Sequence, residues 1–111
     1  MTGVQTCALP ISDEPSKTGL DPEKLFYFLK EAVGYKNISV KGLMTIAPFT
    51  GDIVARRPCF RLLKELYDKV NNLNIEGINF SILSMGMSDD FEIALEEGSN
   101  MVRIGRAIFE N

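Results

Sequence analysis

Apolar residues recur along this chain with two alternating rhythms. Leu25, Phe28, Leu29, Ala32 and Val33 fall on one face of a helix. Asp21 suits its cap, Pro22 its first position, Glu23 its acidic first turn and Gly34 its stop. A second stripe, made by Phe60, Leu63, Leu66, Tyr67 and Val70, predicts a helix over 57–71 with Pro58 in its first turn. In the third and shortest, Phe91, Ala94 and Leu95 share a face, Asp89 with Glu92 makes a capping pair, and Gly98 ends the helix. Between these stripes the runs 38–46, 79–83 and 101–104 are apolar and β-rich without a helical period, as strands buried on both faces should be. The stretch 84–88 then reads as a loop. The predicted order is αβαβαβ, and helical connections between strands imply parallel pairing through right-handed crossovers.

Length and composition narrow this picture. At 111 residues, with 45% hydrophobic and 24% charged, the chain is ordinary globular material of about one domain. A complete (β/α)₈ barrel, which takes about 250 residues, is excluded. The first dozen residues carry neither rhythm and lack the basic start and apolar stretch of a secretory signal. Residues 1–10 are expected to be a non-native leader of the kind translated from sequencing adapters, leaving 11–111 as the native unit.

Charge and ligand chemistry exclude further classes. A net charge of −3, from 12 basic and 15 acidic side chains, offers no global field for nucleic acid or an anionic membrane. No run of about 18 apolar residues is present to span a bilayer. With no histidine and only Cys7 and Cys59, neither a metal cluster nor a disulfide framework is expected, and a reducing cytoplasm fits best. Glu92, Glu96 and Glu97 read as the wet face of the third helix, and Cys59 as packing.

Two strand-to-helix junctions could hold an anion locally. In the first, Gly86 has no side chain to keep a ligand away, Ser84 and Ser88 offer hydroxyls, and the loop offers N–H groups. Asp89 and Asp90 argue against it, since carboxylates there would repel a phosphate. In the second, Gly105 follows the last strand between Arg103 and Arg106, whose guanidinium groups can pair with anionic oxygens in two-point contacts. Arg103 within an apolar strand needs a partner wherever it is buried. Two consecutive junctions of this type reproduce the phosphate site that (β/α)₈ barrels build after strands 7 and 8, which makes the three predicted strands 6, 7 and 8.

Four runs make a more specific match: ISDEPSKTG at 11–19, GLMTIAP at 42–48, LSMGMSDDFEIA at 83–94 and VRIGRAIF at 102–109. Together they resemble, in order and spacing, the C-terminal half of the pyridoxal phosphate homeostasis family (YggS/PROSC-type), single-domain proteins with the alanine racemase N-terminal type of barrel. The resemblance implies an α/β fold, the C-terminal part of a (β/α)₈ TIM barrel, and pyridoxal 5′-phosphate as cofactor. It further implies that Ser84, Met85, Gly86, Ser88, Gly105 and Arg106 hold the cofactor phosphate. Arg103 would face the pyridine nitrogen, and Met44 would line the pocket. A guanidinium disfavours a protonated pyridinium and so weakens the ring as an electron sink.

The family's Schiff-base lysine lies in a half that this sequence does not contain. Lys24, Lys30, Lys64 and Lys69 fall at solvent-type helix positions, Lys36 in a connector and Lys41 at a strand rim. Lys17 lies in a loop past a truncated fifth strand, where it is either a solvated loop lysine or a ligand contact. The expectation is a fragment with weak or no cofactor binding of its own and no catalytic residue. Its parent would bind and buffer pyridoxal phosphate without an established turnover, with dependent apoenzymes as candidate recipients and neither nucleic acid nor membrane as partner. The competing readings are a half of a fold-type III enzyme resembling alanine racemase, and a phosphosugar- or flavin-binding barrel sharing only the phosphate loops.

Overall fold

A computed structural model of the chain describes residues 5–11, 19–47 and 52–105, with residues 5–7 given by their backbone alone. Four strands, β1 (Gln5–Pro10), β2 (Ile38–Thr45), β3 (Ile82–Met87) and β4 (Met101–Arg103), form one sheet in the order β1-β2-β3-β4. Every pairing is parallel. The connections carry α1 (Leu25–Ala32), α2 (Arg57–Asn72) and α3 (Phe91–Glu96), the first two entered through short 3₁₀ turns at Pro22–Lys24 and Val54–Arg56. The described order is therefore βαβαβαβ, one strand more than the hydrophobic pattern predicts. The extra strand is β1, inside the segment expected to be a leader. Its bonds to β2 are made by backbone groups, which need no side-chain period.

Side chains on one sheet face meet all three helices in a single core. Leu9, Leu43 and Leu83 are register partners across β1, β2 and β3, each at most 8% exposed. They pack in one cluster with Leu25 and Leu29 of α1, Phe60 and Leu63 of α2, and Ala94 of α3. Strict alternation would put Val40 and Leu43 on opposite faces, yet both are buried. A register shift between Cys7 and Ala8, which face Val40 and Gly42, bulges β2 at Lys41 and returns Leu43 to the helix side.

Helix boundaries follow the predicted punctuation, with local corrections. Asp21 Oδ1 accepts from the Glu23 N–H at 3.0 Å, as a capping carboxylate should. Phe28 and Val33, expected on the inner stripe of α1, are 42% and 45% exposed. The buried arc contains only Leu25, Leu29 and Ala32, spaced i, i+4, i+7, so the other two stand at its margins. The strand expected over 79–83 begins at Ile82 and continues through Met87, so most of the supposed loop is sheet. The reason lies in α2: Asn71 accepts from the Phe80 N–H at 2.8 Å and donates to its carbonyl at 3.0 Å, and the Tyr67 hydroxyl donates to that carbonyl at 3.0 Å. These side chains occupy backbone groups that a ladder would have used. Asp89 and Glu92 do not form the expected capping pair. The residue at the start of α3 is Asp90, and its carboxylate is engaged elsewhere, as described below.

Salt bridges on the outer surface tie α2 to α3. Arg57 Nη1 and Arg61 Nε reach the Glu97 carboxylate at 2.7 and 3.1 Å, and Arg57 Nη2 reaches Glu96 at 3.2 Å. Hydrogen bonds from Arg61 and then Arg57 hold the Glu97 carboxyl below its ordinary value of 4.5. A depressed carboxyl stabilises the fold above its unfolded pKa, and that contribution disappears as pH falls through the folded one. Glu97→Gln is therefore expected to lower the urea midpoint at pH 7 and to match the wild-type chain once pH lies well below the usual carboxylate range. An equal gap at both pH values would contradict this linkage.

Candidate functional site

The sheet face turned away from the helices carries the candidate site. Met44, Ser84 and Met101 are register partners on β2, β3 and β4, so their side chains stand side by side on that face. Arg103 lies two residues beyond Met101 and shares its face. Its Nη2 donates to the Thr45 carbonyl at 3.1 Å, so the guanidinium reaches back past β3 to the end of β2. Arg103 is half-buried, and its Nε is buried with no hydrogen-bond partner among the described residues. An orphaned N–H of this kind is costly unless an acceptor arrives.

β3 itself is held from behind. Ser99 Oγ lies 2.7 Å from the Met85 carbonyl, 3.0 Å from that of Met101 and 3.3 Å from that of Leu83. Asn100 clamps the start of β3 by accepting from Leu83 N–H at 2.7 Å and donating to Ser81 O at 2.9 Å. At the far end, Asp90 Oδ1 accepts from Met87 N–H at 2.7 Å, closing the turn into α3. Asp90 Oδ2 in turn accepts from Arg56 Nη1 at 2.8 Å, and Asp89 Oδ2 accepts from the same nitrogen at 3.1 Å. The Asp90 hydrogen bond holds Arg56 above its ordinary guanidinium value, against the burial that would lower it. Hydropathy gave no sign of this contact, because Arg56 and the two aspartates are 33 and 34 residues apart. The available signal was an unusual Asp-Asp pair at a loop expected to take an anion, with an Arg-Arg pair at the start of the second helix.

The eight proposed cofactor residues separate into groups. Met44 and Ser84 are neighbours on the face away from the helices, where Ser84 is only 5% exposed, and Arg103, paired with Met87 further along, shares that face and reaches back to the Thr45 carbonyl. Ser88 is half-buried in the turn just past β3. Met85 is fully buried on the helix side, leaving only its backbone for a ligand. Gly86 adopts φ +104°, and an added Cβ would sit 2.7 Å from Ala94 Cβ and 3.1 Å from Phe91 Cα. Helix packing thus demands this glycine, independently of any ligand at its backbone. Gly105 is exposed, and among the described residues nothing lies within 4 Å of where its Cβ would be, so their packing does not demand a glycine there. Arg106 and Lys17 lie outside the described residues.

The described lysines fall away from this face's C-terminal end. Lys64 pairs with Asp68 at 2.8 Å, Lys69 lies over the Phe26 ring, and Lys24, Lys30 and Lys36 are exposed. Lys41 sits at the bulge in the first half of β2. Cys59 is half-buried against the core, 3.8 Å from Thr45 Oγ1. Among the described residues no group of acidic, histidine or cysteine side chains could hold a metal ion. Among the same residues no helix is long and apolar enough to cross a membrane.

Residues 3–110 match the family model for the alanine racemase N-terminal domain. A pyridoxal phosphate homeostasis protein of Aquifex aeolicus is 40% identical over 99 residues, covering 89% of this chain and 42% of that protein. Its counterpart in Haemophilus influenzae is 38% identical over 99 residues, covering 89% and 41%. The structure of PipY from Synechococcus elongatus PCC7942 with PLP bound superposes with a TM-score of 0.84 at 25% identity, over 96% of this chain and 50% of PipY. A crystal structure of an unknown protein from Bifidobacterium adolescentis gives 0.88 at 34% identity, over 96% and 44%. The chain thus spans about two fifths of the curated relatives and about half of the solved neighbour PipY. This chain belongs to the alanine racemase N-terminal domain family, in its pyridoxal phosphate homeostasis (YggS/PROSC-type) group, and its parallel α/β sheet is part of that family's barrel.

Proposed function

We propose that this chain supplies the phosphate-holding and ring-nitrogen side of a pyridoxal 5′-phosphate site, in a cytoplasmic protein that binds and buffers the cofactor. The observation that carries this reading is Arg103: its buried Nε has no hydrogen-bond partner among the described residues, and it lies on the same sheet face as Ser84 and Met44. A ring nitrogen is a neutral acceptor of the kind such a donor lacks. Beside a guanidinium, that nitrogen stays unprotonated. The Ser84 and Ser88 hydroxyls, the N–H groups around Gly86 and Gly105, and Arg106 would hold the phosphate. When bound, the cofactor contributes an aldehyde that condenses with amines and a ring that withdraws electrons. No described lysine of this chain stands at that end of the sheet to meet the aldehyde, which favours a holding role for this segment. Apoenzymes that depend on the cofactor are the proposed recipients.

Pyridoxine 5′-phosphate tests the site cleanly, because it keeps the ring and the phosphate but has no aldehyde to react with surface lysines. In an amide-resolved NMR titration, shifts are expected at Ser84, Gly86, Ser88, Ile104 and Gly105. Arg103→Gln should weaken this ligand about tenfold, the value of one charged hydrogen bond, while leaving inorganic phosphate unaffected. Shifts confined to other parts of the chain would refute the proposal.

A further inference from the structure

Asp89 and Asp90 adjoin Ser88, and two uncompensated carboxylates there would oppose a phosphate that carries two negative charges. The fold answers with Arg56, a residue contributed by the turn that leads into α2. Its side chain is 5% exposed, as is that of Asp90, while Asp89 is 29% exposed. The same Asp90 carboxylate that takes Arg56 on one oxygen takes the Met87 N–H on the other. A single guanidinium therefore removes one unit of negative charge from the loop and anchors the residue that sets the path of its backbone.

We infer that Arg56 is the positioning residue of the turn that leaves β3, orienting Met87 and Ser88 through Asp90 and screening the carboxylates of Asp89 and Asp90 from the anion. This rests on the phosphate site proposed above. It adds to that site a residue which does not touch the ligand and comes from a different βα unit. The dense geometry around Asp90 makes the effect directional. Without Arg56, the carboxylates repel each other and the ligand, and the Met87 N–H loses a fixed acceptor.

Inorganic phosphate and pyridoxine 5′-phosphate, titrated by NMR into the intact chain, test the assignment. Arg56→Gln should weaken both ligands about tenfold, within the ordinary span of coupling between sites. It should also speed amide exchange at Met87, and Arg56→Lys should recover part of the loss. A purely structural role would not respond to charge, so Arg56→Gln combined with Asp89→Asn should bind phosphate more tightly than Arg56→Gln alone. Should Arg56→Gln fail to fold, Asp89→Asn by itself carries the test: it keeps the Arg56–Asp90 pair and should bind phosphate more tightly than the wild-type chain. Unchanged affinity in Arg56→Gln, or no gain in Asp89→Asn, overturns the role of Arg56 while the wild-type shifts leave the cofactor site standing. Absence of those shifts in the wild-type chain overturns both.

Discussion

Gly42→Ala is expected to abolish the folded sheet. A Cβ at this position would lie 1.8 Å from the Ile82 carbonyl oxygen, 2.6 Å from its carbon and 2.7 Å from Ile82 Cβ. The obstacle is the backbone of the neighbouring strand at the start of the β2–β3 ladder, where Gly42 pairs with Ile82. Rotamer changes cannot relieve it, and separating the strands would break the row of Leu9, Leu43 and Leu83 that anchors the core. The cost should reach about 4 kcal/mol or more, the range reserved for lesions of this type and a large part of the stability of any domain this size. Loss of amide dispersion and of a cooperative urea transition would be the signature. Gly105→Ala provides the control for stability alone, since its Cβ would meet nothing within 4 Å among the described residues. A cooperative transition for Gly42→Ala near the wild-type midpoint would show that the two strands do not approach as described.

Gly86→Ala should destabilise the chain by about 3 kcal/mol, combining an unfavourable backbone conformation with overpacking. The φ of +104° is one that side chains rarely adopt, and the new methyl would press on Ala94 and Phe91 at the start of α3. Because α3 and the turn at Asp90 move as the methyl is accommodated, the Ser84 and Ser88 amides should shift without any ligand. Adding Ala94→Gly removes the 2.7 Å contact but introduces a helix cost of about 1 kcal/mol. The double variant should accordingly be less unstable than the sum of the two single changes, as expected for touching residues. Strict additivity in a urea series would rule out the contact as the cause.

These two glycines show how far local pattern reaches. Both could be singled out in the sequence, Gly42 inside a strand and Gly86 at a strand end, but their reasons could not. One is required by the neighbouring strand and the other by a helix, and each neighbour lies at a distance fixed only by packing. The helices were legible because α1 and α2 each bury an apolar stripe that repeats with the helical period. β1 was not, since its pairing uses backbone groups and its residues alternate in no clear pattern. β3 was misplaced because the Asn71 and Tyr67 side chains bind Phe80 and delay its entry into the ladder. Part of the candidate site was legible as motifs: Ser84, Gly86, Ser88, Arg103 and Gly105 stand out as types in two short runs, whereas Met85 and Met44 entered only through the family resemblance.

What the sequence determined by itself was the alternation of strand and helix, the parallel α/β class and the residue types gathered at two strand ends. Those follow from periodicity and side-chain chemistry, which act over a few residues. Tertiary structure decided which of the residues share a surface. It placed Met44, Ser84 and Arg103 on one face, turned Met85 into the core, and brought Arg56 under Asp89 and Asp90. A buried charge selects its partner by proximity in the folded chain, and separation along the sequence has no bearing on that choice.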